Sequence, residues 1–522
     1  MRKHARLIVG VLLVLTVISG VGLVISARQL EPRLRGWVTS TLSESLESEV
    51  ELGAIKLNWV PLTLQAENLT VRHHGRTDVP PLLIVKSFSV DLRPTDLWSQ
   101  TLEHVKVDGL EVNIPPKDPN TGKRPLPKPG GDDGSTKAKT DSDSEGLVVK
   151  RLTATNARMS IIPREDGKNP KVWDIIELDM KNLRSSEPAT FTAALINPIP
   201  YGKIETTGTF GPWQTDEPGA SPIGGDYTFA ADLGTIAGLE GELNAIGKMG
   251  GTINQIATTG QTRTEKFRLS ELEGDALPLT TAYEAVVDGT KGDVELKRVD
   301  VELGKSKFVA TGIVEGTKGI KGKRVVVNVK SDNANLGELL RFVSKAAQPP
   351  AYGRLAIDTA FDLPQGKEPI LSRLQLEGSV RAERVTFTND AVQDKIDLLS
   401  RRAQGRPGDT SIDEVASRLS TKFALRNGLF TYQGLQFMVQ GADIRLNGTH
   451  SLRSKTLNLA GEVRLKATVS QTMTGFKSWL LKPFDPLFKK NGAGTRLVIK
   501  VEGTQDQPKV GLDFGKTLRG TD

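Results

Sequence analysis

From residue 51 onward the chain changes character at every second residue. In "LNLAGEVRLKATV", Leu457, Leu459, Val463, Leu465, Ala467 and Val469 occupy one set of alternate positions, and Asn458, Glu462, Arg464, Lys466 and Thr468 the other. Strand side chains point alternately to opposite faces, so this order makes one dry face and one wet face. The same alternation runs through Leu62, Leu64 and Ala66; Phe88, Val90 and Leu92; Val299, Val301 and Leu303; Val325, Val327 and Val329; Leu355, Ile357 and Phe361; and Leu497, Ile499 and Val501. Turns bearing glycine or asparagine separate these stretches at short intervals, and the chain holds 52 glycines. The expected fold is mainly β and antiparallel, with about 25–30 strands, each adding ~4.8 Å to a sheet.

Ahead of the strands, "LIVGVLLVLTVISGVGLVI" (residues 7–25) carries no charge and is long enough to cross a bilayer as a helix. Arg2, Lys3 and Arg6 precede it, which keeps the N-terminus cytoplasmic and exports the bulk of the chain. A cleaved signal peptide is the alternative, but the apolar stretch is long for one and "VISARQ" is a poor cleavage site. Residues 1–26 are therefore expected to form a cytoplasmic tip and membrane anchor. Leu30, Leu34, Trp37, Val38 and Leu42 recur at helical spacing, so an amphipathic helix is expected over residues 27–50.

Two stretches break the alternation. Residues 115–146 are rich in proline, glycine and charge, with Leu126 the one large apolar side chain, and read as a disordered linker. Residues 389–420 read as a helical insertion. Val392, Ile396 and Leu399 fall on one helical face, and a second helix is expected to start at Thr410 or Ser411, with Asp413 and Glu414 in its first turn. Arg401, Arg402 and Arg406 read as a solvated patch. These breaks divide the strands into an N-terminal β region at 51–114, a middle region at 147–345 and a C-terminal domain at 346–522.

Composition removes several kinds of chemistry. There is no cysteine, hence no disulfide, thiolate metal site or thiol nucleophile. The five histidines lack metal-ligand spacing. "GELNAIGKM" (Gly241–Met249) has five residues between its glycines where a phosphate loop needs four, and Met249 replaces the hydroxyl that would hold magnesium. Residues 1–37 carry net +5 of the chain's +7, which leaves no broad basic footprint for nucleic acid. The expectation is a protein without enzymatic activity or cofactor.

"LEGSVRAERVTFTN", "STKFALRNGLFTYQGLQFMVQGADIRLNGTHSL" and "RLVIKVEGTQDQPKVGL", the last carrying Gly503 and Pro508 in a G-x-x-x-x-P strand, resemble the C-terminal domain of the AsmA-like proteins of the bacterial cell envelope, relatives of the TamB group. "VELGAIKLNWVPLTLQAENLTVRHHG" and "PPLLIVKSFSVDLRPTDLWSQTLEHVKVDGLEVNIPP" resemble that family's opening strands. The long linker at 115–146 departs from its pattern. The resemblance implies an elongated, twisted antiparallel sheet curled into a groove, with short helical insertions, anchored in the inner membrane and lying in the periplasm. Its implied role is to carry or bridge phospholipids between inner and outer membranes; the alternative is a tethered scaffold that assists outer-membrane protein assembly or envelope integrity. The implied partners are phospholipid acyl chains, the inner membrane through residues 7–25, and an outer-membrane or periplasmic protein.

On that reading the lipid-facing positions are Val299, Val301, Leu303, Leu355, Ile357, Phe361, Leu457, Leu459, Val463, Leu465, Leu497, Ile499 and Val501. Periodicity alone is equally satisfied by two sheets closed on each other; the resemblance is what favours an open groove. Late in the chain, "TGFKSWLLKPFDPLFKKNGAG" (residues 474–494) interrupts the strands, and its Pro483 and Pro486 forbid a continuous ladder. Trp479, Leu480, Phe484 and Phe488 read as an end cap over the sheet, or as a membrane or partner contact with Lys477, Lys482, Lys489 and Lys490 facing anionic groups.

Overall fold

A computed structural model describes residues 35–36, 39–40, 43, 48–59, 62–73, 80–91, 93, 101–114, 148–162, 171–184, 187–212, 214, 218–316, 322–345, 347–366, 368, 370–468, 470–472, 494–504 and 507–512. The chain is mainly β, with 25 strands among these residues. It divides into two compact units, one made of Met1–Thr235, Leu243–Gly260 and Val286–Asp293, the other of Ile236–Glu242, Gln261–Ala285 and Val294–Asp522.

In the first unit, Ser48–Glu51 and Ile55–Trp59 pair with one long strand, Leu62–His73. That strand pairs in turn with Leu83–Asp91, and Leu83–Asp91 with Thr101–Ile114. Leu64, Val90 and Val105 lie opposite one another and are 1%, 0% and 2% exposed. With Leu102 and Val149 they belong to a dry core. Next comes a departure from the expected antiparallel order: Thr101–Ile114 and Val148–Ile161 run parallel, with Leu102 beside Val149 and Ile114 beside Ile161. A parallel pair needs a crossover of about a dozen residues or more, and the stretch between these strands is long enough to supply it. The pairing is antiparallel again through Lys171–Leu183, Ala189–Pro198, Tyr201–Phe210 and Pro222–Asp232.

The second unit contains a run of eleven antiparallel strands from Asp293–Leu303 to Pro508–Leu512, each paired with the next in sequence. Helices sit at strand ends. Leu336–Val343 follows the strand Arg324–Asn335 directly, capped by the Asn335 side chain, whose oxygen accepts the Glu338 N–H at 3.0 Å. This helix lies within the expected middle β region; the signal for it in the sequence is the Asn335–Glu338 spacing of a capping pair. The expected insertion helix is present as Asp390–Ala403, with Asn389 as its cap.

The second insertion helix is not formed. Residues 410–416 are turn and coil. The reason is Asp397, which is wholly buried and accepts the backbone N–H groups of Glu414 at 3.1 Å and Val415 at 2.9 Å. Those donors are held by the preceding helix, and Glu414 takes a left-handed backbone (φ 49°) in doing so. A second boundary also moves. The helix expected over 27–50 gives way before its end, because Ser48–Glu51 is already a strand, with Glu51 opposite Thr70; residues 35–36, 39–40 and 43 are helical. The proposed anchor at 7–25, the linker at 115–146, and Trp479, Leu480, Phe484 and Phe488 lie outside the described residues. Among the described residues no helix is long and apolar enough to cross a membrane.

Candidate functional site

Cross-strand partners share a face of a sheet, so the pairing register can be followed from strand to strand. In the second unit one row runs from Val299 through Ala310, Val329, Thr359 and Gly378 to Phe423. It continues through Tyr432, Gly448, Leu459 and Val501 to Val510. A flanking row joins Leu296, Gly312, Val327, Phe361, Leu376 and Leu425. At ~4.8 Å per strand the face is roughly 50 Å across.

The register places all thirteen expected face residues on this side. Val299, Val301 and Leu303 stand opposite Ala310, Phe308 and Ser306. Leu355, Ile357 and Phe361 stand opposite Ala382, Val380 and Leu376. Leu457, Leu459, Val463 and Leu465 pair with Gly503, Val501, Leu497 and Thr495, and Ile499 stands opposite Gly461. Bulges preserve the arrangement. Two residues oppose one between Leu296 and Val299 and between Tyr432 and Leu435, so the apolar side chains before and after each bulge return to the same side.

Exposure distinguishes this face from the core of the first unit. Leu303, Leu459, Val463 and Ile499 are buried, but Val299, Val301, Leu355, Ile357, Phe361, Leu457, Leu465, Leu497 and Val501 are only half-buried. Val90 and Val149 in the first unit are both 0% exposed, drier than any of the thirteen. Val510, at the outer strand, is 68% exposed.

The opposite face is an array of ion pairs. Lys330 meets Asp358 at 3.0 Å, Arg426 meets Glu377 at 3.4 Å, and Arg324 grips Asp362 through two nitrogens at 2.9 and 2.6 Å. The hydrogen-bonded Arg324 guanidinium holds the Asp362 carboxyl below its usual range. Burial works to raise the Glu462 pKa, but Arg496 and Arg464 outweigh it and the carboxyl is held low. Exposed pairs of this kind contribute about 0–1 kcal/mol each. Their main effect is to keep one side of the sheet hydrated while the other stays apolar.

Aromatic rings gather on the apolar side. Phe430 stacks on Tyr432 (centroids 5.8 Å apart, planes 4° apart) and on His450 (6.4 Å, 16°), with Phe423 tilted against it at 6.0 Å. Burial pushes the Tyr432 phenol upward. The sequence reading missed this cluster. In "LFTYQGLQFMV" the bulge at Gln433 and Gly434 shifts the alternation by one, which hides Phe430, Tyr432, Leu435 and Phe437 as members of one face. The left-handed Gly434 (φ 63°) was the available signal.

No family model matches the chain, and neither a curated protein nor a solved structure is similar to it.

Proposed function

We propose that the apolar face of the second unit is a surface for lipid acyl chains, and that the protein carries or bridges phospholipid between the inner and outer membranes while anchored through residues 7–25. The observation that carries this reading is the continuous pairing register from Val299 to Val510, apolar at most positions, half-buried along most of its length and backed by an ion-paired opposite face. A two-chain lipid with ~16 carbons per chain resists leaving a membrane by roughly 25 kcal/mol, at about 0.8 kcal/mol per methylene. An apolar surface outside the membrane lowers that barrier without consuming nucleotide. The bulges and in-strand glycines are devices that let a sheet bend. The periplasmic address rests on the charge order around residues 7–25 and on the family resemblance.

Site-specific photo-crosslinking in cells tests the proposal. A photoreactive residue at Ile357 or Val501 is expected to capture phospholipid, and one at Asp358 or Lys500, on the opposite side, is not. Equal labelling of the two faces, or none on either, would sink it. The scaffold alternative is favoured by a different observation, the outer strand Pro508–Leu512 with Val510 exposed. It predicts a specific envelope protein crosslinked at Val510.

A further inference from the structure

Two neighbouring positions on the apolar face, Gly448 and Gly461, carry no side chain and cannot acquire one. A Cβ at Gly448 would overlap the carbonyl oxygen of Asn458, and a Cβ at Gly461 would overlap that of Arg445. Gly448 lies opposite Tyr432 on one side and Leu459 on the other, and Gly461 lies opposite Leu446 and Ile499. The two glycines are diagonal neighbours, so together they leave a notch in the face. His450 stands two residues from Gly448 on the same strand and the same side.

Two hydrogen-bonding side chains, Tyr432 and His450, border the notch in the register. The His450 Nε2 atom is shielded from solvent and has no partner among the described residues. No hydrogen bond reaches the Tyr432 hydroxyl among them either, although the ring is half-buried. Phe430, stacked between the two rings, fixes both planes. A buried polar atom without a partner costs free energy, so its retention on an otherwise greasy surface needs a compensating contact.

We infer that this notch holds the polar end of an acyl lipid: an ester, carboxylate or phosphate oxygen seats over Gly448 and Gly461 and accepts hydrogen bonds from Tyr432 and His450, while the chain lies along the apolar rows. The inference rests on the lipid reading above and adds to it a fixed register for the bound molecule.

The test uses the full-length chain and three photoreactive probes of equal chain length: an alkane, a fatty acid and a lysophosphatidylglycerol. Labelling is compared at Leu446–Leu459 and at Ile357. One hydrogen bond is worth about fivefold in occupancy. Both polar probes are therefore expected to label the notch about fivefold or more over the alkane, and His450→Phe, which keeps the ring stack, is expected to remove most of that preference while labelling at Ile357 stays unchanged. A preference for lysophosphatidylglycerol alone assigns the notch to a phosphate, and for the fatty acid alone to a carboxylate. If His450→Phe does not fold, Tyr432→Phe, which deletes one oxygen, replaces it. An undiminished preference in the folded variant overturns the notch and leaves the apolar face standing; a wild-type chain that no probe labels anywhere on the face overturns both.

Discussion

The two oxygens of the Glu338 carboxylate accept one donor, the backbone N–H of Lys305, at 3.0 and 2.9 Å. The contact ties the helix Leu336–Val343 to the turn between two strands more than thirty residues earlier in the chain. Ser306 completes the link: its hydroxyl donates to Glu338 at 3.1 Å and accepts the Asn335 N–H at 3.0 Å. A carboxylate in the first turn of the helix thus serves as the lock of a hairpin. Glu338→Ala is expected to cost about 1.5–3 kcal/mol, the range for hydrogen bonds to a charged group. The Lys305 amide should exchange with solvent markedly faster in that variant, and unchanged exchange there would refute the lock.

Asp397 makes the lower segment of the insertion sensitive to acid. Burial works to raise its pKa, but the N–H of Val415, the Gln393 amide at 2.9 Å and the N–H of Glu414 outweigh burial and hold the carboxyl below its ordinary value. A folded pKa below the unfolded one means that the stabilisation is complete above the unfolded value of about 3.9 and is lost as pH falls through the folded value. The Glu414 and Val415 amides are therefore expected to stay protected from exchange at pH 7 and at pH 5, and to open only below about pH 4. Asp397→Asn should open them at pH 7.

Removing methyl groups separates a covered face from an uncovered one. Val90 is 0% exposed, and Val90→Ala should cost about 2 kcal/mol through lost transfer energy and a residual cavity. Val299 is only half-buried, and Val299→Ala should cost under about 1 kcal/mol. Denaturant titration of the two variants checks the ordering. Equal losses would mean that a second layer covers Val299.

Gly312 sits in the apolar row opposite Val327, where a Cβ would overlap the Val326 carbonyl oxygen. Gly312→Ala is expected to break the local ladder. Exchange protection at Val326 and Val327 should fall while that at Val90 and Val105 is retained.

How much of this was legible beforehand depends on how local the cause is. Alternation at Leu457–Leu465 or Leu497–Val501 reports a face directly, because side-chain direction in a strand follows from backbone geometry at each residue. The insertion helix was legible as a helix, but not its buried face: Val392 is exposed, and Gln393, Asp397 and Ser400 are the side chains turned inward. Each failure involves a partner distant in sequence. The expected helix after Thr410 loses its first-turn donors to Asp397, and the face at Phe430 and Tyr432 is hidden by a bulge whose position depends on the strand Ala442–Ser451. The parallel pairing of Thr101–Ile114 with Val148–Ile161 has no signature in either strand.

The sequence by itself determined that this chain would be a succession of two-faced strands, since a period of two leaves each strand no other way to hide its apolar side chains. It also determined which thirteen side chains would share the dry side. Only the tertiary structure decided whether that side would be covered. Val90 and Val149 are sealed, while Val299, Ile357 and Val501 are only half-buried, although their local patterns are alike. Coverage depends on what packs above a strand, and alternation within the strand carries no record of that layer.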